Sequence, residues 1–133
     1  MKRLLLAFTF SFFILNSITA NDNLSKLTEQ EIKTMLCHKW KLTFLEYKGN
    51  KKEIPSKLPE SHILFLPDGR LEEYEGKTKY TGTWSYNHAT KTITTIDKDG
   101  NEKHAIIELG NELFIMNGKY KGFTFNMGFK IVV

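Results

Sequence analysis

The feature that most constrains the fold is a series of short alternating segments joined by turns. From Trp40 onward, apolar and polar residues alternate with a period of two, the pattern of strands that bury one face. Turn sequences such as Pro67-Asp68-Gly69 and Lys98-Asp99-Gly100-Asn101 separate these segments. Connections of this length leave no room for the crossover helices that parallel strands need. The sequence therefore predicts sequential antiparallel pairing.

Eight strands are predicted in this way. They lie at residues 40–44, 61–66, 70–75, 79–86, 91–97, 102–109, 113–116 and 123–131. Eight antiparallel strands in up-and-down order can close into a barrel, which removes their edges. A two-sheet sandwich is the alternative, although it normally has longer Greek-key connections. We therefore predict an all-β protein with an eight-stranded up-and-down barrel over residues 39–133, and a polar loop at 49–61.

One short helix is predicted before the strands. Thr28 and Glu31 have the spacing of a capping box, and Leu27 and Ile32 can form the hydrophobic staple around it. Apolar residues then recur at helical spacing on one face. A helix of about ten residues is too short to be stable alone. We therefore expect residues 21–38 to form an N-terminal segment whose helix packs on one end of the barrel.

Residues 1–20 have the pattern of a cleavable signal peptide. Lys2 and Arg3 precede an apolar run at 4–15, and the small residue Ala20 precedes a polar stretch. A membrane anchor is the alternative, but a run of about 12 residues falls short of the roughly 20 needed to span a bilayer. No cysteine follows the cleavage position, so a lipid anchor is not expected. The sequence predicts an exported protein, periplasmic or secreted, with no stable membrane span after cleavage.

Length and charge limit the classes of function. The chain has 133 residues, the length of one domain, and its single cysteine excludes an intramolecular disulfide. Its 19 basic and 15 acidic residues give a net charge of +4, but the predicted signal peptide carries two of the basic residues and no acidic one. The remaining chain has no strong field for binding nucleic acid, so a nucleic-acid partner is not expected.

Four sequence pieces, in this order, resemble the small exported bacterial lipocalin-like domains. They are Leu36-Cys37-His38-Lys39-Trp40-Lys41-Leu42, Phe65-Leu66-Pro67-Asp68-Gly69, Gly82-Thr83-Trp84-Ser85-Tyr86, and Ile106-Ile107-Glu108-Leu109-Gly110-Asn111-Glu112-Leu113. The similarity covers roughly residues 36–116. One position departs from the family pattern, because His38 stands where the family's Gly-x-Trp opening has glycine.

The resemblance implies an eight-stranded, calycin-type barrel closed at one end by the helix. It also implies that the 49–61 loop takes the place of the lid over the barrel mouth. Such folds often bind small apolar molecules, although a fold alone does not fix a function. Lys48, Lys51, Lys52 and Lys57 lie around this loop. These lysines either are simply exposed to solvent or attract the anionic head group of a ligand.

Aromatic residues on the predicted strands are the candidate ligand-binding residues. We expect a small apolar ligand in the barrel mouth, lined by Phe44, Phe65, Tyr74, Trp84, Tyr86 and Phe125. The alternative is a barrel filled by these side chains, since eight strands enclose little more space than that. A solid barrel would instead act through another envelope protein, as an inhibitor or an assembly factor. Leu64, Leu66 and Met116 are the candidates for the exposed apolar patch of that alternative.

No residue pattern predicts an enzyme, a metal site or a cofactor. The four histidines lack the spacing of a metal-binding helix, and Cys37 is expected in the core at the junction of helix and strand. Residues 97–108 imitate part of a calcium loop, but Glu102 occupies the position that requires glycine. We therefore expect a hairpin there and a non-enzymatic binding protein overall.

Overall fold

The structure is a computed structural model and describes residues 22–133. The predicted signal peptide lies outside the described residues, so its cleavage stays a prediction. A short 3-10 helix at Asp22–Lys26 precedes helix α1 at Glu29–Leu36. The strands are β1 (Lys39–Tyr47), β2 (Asn50–Glu53), β3 (Ser61–Phe65), β4 (Arg70–Glu75), β5 (Thr78–Asn87), β6 (Thr92–Asp97), β7 (Gly100–Leu109), β8 (Leu113–Tyr120) and β9 (Phe123–Ile131).

Eight of these strands close into an antiparallel barrel. Each strand from β3 to β9 pairs with the next along the chain, and β1 pairs with both β3 and β9, which closes the sheet. This confirms the predicted all-β, lipocalin-like barrel and excludes the sandwich. None of the helices within residues 22–133 has the length and apolar character that crossing a bilayer requires.

The predicted polar loop at 49–61 contains a strand that the sequence analysis missed. Strand β2 pairs with the second half of β1, so the first part of this loop is a hairpin rather than an irregular lid. Lys48 and Gly49 form its turn, with φ values of 50° and 82°. The strand has only one neighbour and carries two lysines. Such edge strands lack the apolar alternation on which the prediction relied.

The strand order defines two ends of the barrel. At one end, which we call the helix end, β1 begins, β9 ends, and the β3–β4, β5–β6 and β7–β8 turns lie. At the other, which we call the hairpin end, the β1–β2, β4–β5, β6–β7 and β8–β9 turns lie. The β6–β7 turn is the hairpin predicted at the calcium-loop-like sequence, with Gly100 at φ 122°.

Helix α1 closes the helix end. Its first turn is held by the predicted capping box, in which the Glu31 N–H donates to Thr28 Oγ1 at 3.1 Å and the Thr28 N–H donates to Glu31 Oε1 at 3.3 Å. Ile32 and Leu36 are fully buried in the barrel core. The Trp40 indole N–H donates to the Leu36 carbonyl at 3.0 Å, which joins the end of the helix to the first strand.

A cluster of aromatic rings fills the interior beneath the helix. Phe114 lies at its centre, with ring centroids 5.4 Å from Trp40, 5.5 Å from Phe129 and 6.1 Å from Phe65. These four side chains are fully buried. Contacts of this kind stabilise a core beyond the area they bury. This part of the barrel interior is therefore packed with side chains.

Polar side chains are also buried inside the barrel. His104 is 2% exposed, and its Nδ1–H donates to the Asn117 carbonyl at 2.8 Å. Its Nε2 lies 3.5 Å from Thr95 Oγ1 and 3.6 Å from Glu102 Oε2. Burial lowers the pKa of His104 because it disfavours the imidazolium. The interior thus holds a neutral histidine at neutral pH.

Candidate ligand-binding groove

The structure separates the six aromatic residues predicted to line one cavity. Phe65, Trp84, Tyr86 and Phe125 belong to the buried core cluster, whereas Phe44 and Tyr74 do not. Trp84 and Tyr86 line a groove at the helix end. The groove thus lies at the end of the barrel opposite the 49–61 loop, whereas the ligand was expected in the barrel mouth beneath that loop.

Phe44 faces outward because β1 is irregular. The pairing between β1 and β9 shifts register between Leu42 and Phe44, so alternation restarts and Leu45 takes the inward position. The Phe44 ring lies across Gly128 on the outer face of the barrel, and the Lys51 ammonium lies 4.2 Å from its centroid. The residue is nevertheless buried, at 6% exposed.

Tyr74 also lies on the outer face, because alternation in β4 places Leu71 and Glu73 inward. Its hydroxyl donates to Glu72 Oε1 at 2.6 Å, and the Lys39 ammonium lies 4.7 Å from its ring centroid. The structure therefore places Tyr74 outside the barrel interior, where it was expected to line the ligand.

Phe65 and Phe125 point inward at different levels of the barrel. Phe65 has no exposed surface and packs edge-on to Trp84, with centroids 5.2 Å apart. Phe125 lies nearer the hairpin end and covers Gly118, whose missing side chain leaves room for the ring. Both side chains are parts of the packed wall.

A half-open groove of about 590 Å³ lies at the helix end. Its volume falls within the range of roughly 300–1,000 Å³ typical of small-molecule sites. One wall is helix α1, and the other is formed by the β3–β4 turn and strand β5. The lining residues are Gln30, Lys33, Thr34, Cys37, His38, Pro67, Gly69, Trp84, Ser85 and Tyr86.

The helix wall is a stripe of polar side chains. Gln30, Lys33, Thr34 and Cys37 are spaced at i, i+3, i+4 and i+7, so they share one helix face. The Gln30 amide donates to Thr34 Oγ1 at 3.3 Å. The buried Ile32 and Leu36 fix this orientation, since they anchor a neighbouring face in the core. The stripe therefore presents hydrogen-bonding groups and one ammonium to the groove.

The strand wall is held by Trp84. Its indole N–H donates to the Leu66 carbonyl at 2.8 Å, and its backbone N–H donates to the Gly69 carbonyl at 2.9 Å. Gly69 has φ +90°, a conformation that favours glycine and lets the turn fold back on β5. Because both the indole and the backbone of Trp84 are hydrogen-bonded to this turn, the edge of the indole forms a rigid apolar surface in the groove.

Tyr86 is held by a second set of hydrogen bonds. The Lys91 ammonium donates to the His88 carbonyl at 2.8 Å and approaches His88 Nδ1 at 3.3 Å. The Tyr86 hydroxyl is hydrogen-bonded to the same Nδ1 at 3.1 Å. Burial raises the pKa of Tyr86, with a smaller contribution from Glu29. The phenol is therefore neutral at neutral pH.

Cys37 and His38 form the floor between helix and strand. Cys37 is half-buried and packs partly against the core, as well as lining the groove. Burial raises the pKa of its thiol, although Lys33 opposes the shift. His38 Nδ1 donates to the Met35 carbonyl at 2.9 Å, which directs the ring at the position where the resembling family has glycine.

The sequence analysis named two residues of this groove but expected them in the barrel mouth beneath the 49–61 loop, and it did not name the helix wall. Trp84 and Tyr86 were predicted from their aromatic character on one strand face. The helix stripe was missed because the helix was considered only for the apolar face that packs on the barrel. The available signal was the polar residues Gln30, Lys33 and Thr34, which recur at helical spacing beside the apolar face of α1.

The predicted apolar patch and the residues that could bind a metal are the remaining candidates from the sequence. Met116 is fully buried, while Leu64 and Leu66 are partly exposed, so the three do not form one exposed patch. Within the described part of the chain, no group of three or more His, Cys, Asp or Glu side chains is arranged to hold a metal ion.

Comparisons with known proteins add the following. No protein-family model matches the chain, and no curated protein matches it. Among solved structures, the chain is similar to a lipocalin-like protein from Bacteroides uniformis, with 21% sequence identity and a TM-score of 0.45. The match covers 74% of this chain and 99% of that one. The lipocalin-like architecture of this chain therefore rests on its own strand pairing.

Proposed function

We propose that this protein is a non-enzymatic carrier that binds a small, ring-bearing and largely apolar molecule in the groove at the helix end. One observation carries the proposal. The two predicted ligand residues Trp84 and Tyr86 border a cavity of about 590 Å³, and hydrogen bonds fix both side chains in place. Preorganised aromatic walls with a few polar groups are typical of small-molecule sites. Lipocalin-like barrels are suited to this role.

The lining of the groove favours a particular kind of ligand. The indole and phenol rings offer apolar edges against which a ring of the ligand can pack. Gln30, Thr34 and Ser85 offer hydrogen bonds on the opposite side and at the edge. The Lys33 ammonium favours a negatively charged substituent, because its own partner Glu29 is 4.0 Å away and both side chains are well exposed. An aromatic or polycyclic acid fits this combination.

The chemistry of the groove supports binding rather than catalysis. Cys37 carries the thiol of the groove, and burial raises its pKa. A thiol with a raised pKa is mostly protonated at neutral pH, and the protonated form is a poor nucleophile. His38 donates from Nδ1 to the Met35 carbonyl, which positions the ring as part of the floor of the groove.

Native mass spectrometry of the protein purified from its own host tests the proposal. We expect a bound small molecule that is lost in Ser85→Phe, since Ser85 is exposed in the groove and a phenyl group there would take up part of the space that the ligand needs. The matched control is Thr81→Phe, which adds the same ring to an exposed position on the same face of β5 outside the groove. Equal occupancy in both variants would contradict the proposed site.

We also propose that the protein is exported, in the periplasm or outside the cell, on the basis of the signal-peptide pattern in residues 1–20. N-terminal sequencing of the protein from its host should begin at Asn21, and a start at Met1 would refute cleavage.

An envelope protein as partner is the alternative function, favoured by the packed ring cluster around Phe114. A protein that carries no small molecule but co-purifies with an envelope component would support that alternative.

A further inference from the structure

A repeated tripeptide marks the hairpin end of the barrel. Tyr-Lys-Gly occurs at residues 47–49, in the turn between β1 and β2, and again at 120–122, in the turn between β8 and β9. Strands β1 and β9 are neighbours in the barrel. The two turns therefore lie side by side, on the end opposite the groove. We call the surface formed by Tyr47, Lys48, Tyr120, Lys121 and Phe123 the aromatic–lysine rim.

The two turns have the same backbone conformation. Lys48 and Gly49 have φ values of 50° and 82°, and Lys121 and Gly122 have 49° and 82°. Positive φ at both central residues defines a type I′ turn, whose first position normally holds asparagine, aspartate or glycine. Lysine is unfavourable there, since its Cβ crowds the backbone. Both turns therefore place a lysine at the tip in spite of the local conformational cost.

Each of these lysines lies over its neighbouring tyrosine. The Lys48 and Lys121 ammonium groups are both 5.4 Å from the centroids of Tyr47 and Tyr120, respectively. A third lysine with positive φ, Lys91, lies at the helix end, where its ammonium donates to the His88 carbonyl. This hydrogen bond within the protein explains why a lysine with positive φ stands at residue 91. The ammonium groups of the rim instead remain at the exposed tips of their turns.

Phe123 makes the rim apolar as well as basic. Its side chain is 58% exposed and packs edge-on against Tyr47, with centroids 5.8 Å apart. The segments 47–53 and 119–123 carry five lysines and one glutamate between them. Exposed aromatic rings interleaved with lysines are the combination that partitions into the head-group region of a bilayer bearing anionic lipids.

We propose that the hairpin end docks on the surface of an anionic lipid bilayer through the aromatic–lysine rim. The positive charge of the two turns complements anionic head groups, and Phe123 inserts at the boundary with the acyl chains. A soluble protein partner fits less well, because a stable protein interface uses about 20–30 residues on each side. The rim has five residues, at the tips of two turns. Docking there leaves the groove at the opposite end open to solvent.

Cosedimentation with vesicles tests this proposal on the protein purified after export from its host. The vesicles contain phosphatidylcholine and phosphatidylglycerol in equal parts, and phosphatidylcholine alone is the reference. We expect Lys48→Gln with Lys121→Gln to weaken partitioning into the mixed vesicles about 25-fold, at about fivefold for each lysine near an anionic surface. The matched control, Lys26→Gln with Lys130→Gln, removes the same charge from exposed positions outside the rim and should change partitioning less than about twofold.

Phe123→Ala tests the apolar part of the rim. We expect it to weaken partitioning about tenfold, since it removes most of the apolar surface that can be buried. The matched control is Ile96→Ala, because Ile96 is 44% exposed on the outer wall of the barrel. Unchanged urea midpoints would show that all variants fold.

Three results would overturn the proposal. An equal loss of vesicle binding in the rim and control lysine variants would show that only net charge matters. Equal binding to phosphatidylcholine alone would show that anionic lipid is not recognised. Displacement from vesicles by polyglutamate, together with no effect of Phe123→Ala, would indicate a soluble anionic partner instead. A loss of vesicle binding that is confined to the rim variants, with normal binding by the groove variant Ser85→Phe, would support docking on the bilayer.

Discussion

Replacing Gly128 by alanine tests the outward placement of Phe44. A methyl group at Gly128 would overlap the ring atoms Cε1 and Cζ of Phe44, which lies flat across the glycine on the outer face of the barrel. The backbone of Gly128 needs no positive φ, so alanine is compatible with the strand itself. The ring is therefore the obstacle, and Gly128→Ala must push Phe44 off the barrel wall into solvent.

The magnitude follows from the burial of Phe44. Removing a fully packed phenylalanine costs about 3–5 kcal/mol. Phe44 is 6% exposed but is covered on one side by the Lys51 side chain rather than by core, so we expect about 2–3 kcal/mol for Phe44→Ala. Gly128→Ala displaces the same ring and should cost a similar amount. In the Phe44→Ala background the site is open, and Gly128→Ala should instead stabilise by about 0.5–1 kcal/mol.

Urea denaturation of the wild type, the two single variants and the double variant measures this cycle. We expect the effect of Gly128→Ala on the free energy of unfolding to change sign when Phe44 is absent. Additive costs in the double variant would refute the reasoning, because they would mean that Phe44 does not lie on Gly128. The register shift in β1 would then be wrong as well.

Three further predictions concern stability. Thr28→Ala should lower the free energy of unfolding by about 1 kcal/mol, because it removes the cap of α1, and urea denaturation measures the loss. Gly82→Ala should lower the free energy of unfolding by about 3 kcal/mol in the same assay, since a Cβ there meets the backbone carbonyl of Ile96. A Gly82→Ala variant as stable as the wild type would show that the strands separate easily. Burial lowers the pKa of His104, so the unfolded chain takes up its proton first as the pH falls. The contribution of His104 to the free energy of unfolding should be constant above the ordinary histidine pKa of about 6.5 and should fall below it, until the pH reaches the folded-state pKa. Unfolding measured against pH should lose part of this slope in His104→Gln, and an unchanged slope would contradict the assignment.

The barrel was predictable because its signals are local. Turn residues such as Pro67-Asp68-Gly69 mark the strand ends, and alternation with a period of two assigns each strand a buried face. The capping box at Thr28 and Glu31 likewise lies within one helical turn. Short connections then leave sequential pairing as the simplest topology, and the structure has it.

The candidate site was less predictable because it depends on register and on packing between distant elements. The irregularity near Phe44 exchanges the inward and outward positions in the second half of β1, and no residue there has a type that predicts it. Tyr74 shows the related ambiguity, because β4 has apolar and polar residues on both faces. The groove exists only because α1 docks beside β5, a relation between residues more than 40 positions apart that alternation does not encode.

The position of the ligand is the central claim, and the two tryptophans of the chain report on it directly. Trp84 lies in the groove wall, while Trp40 is fully buried beneath the helix. We would record the two indole N–H resonances by ¹H–¹⁵N NMR during titration with 1-anilinonaphthalene-8-sulfonate, a ring-bearing anion. The account predicts that the Trp84 resonance shifts with added probe and that this shift disappears in Ser85→Phe. Shifts confined to residues at the hairpin end, with both indoles unchanged, would contradict it.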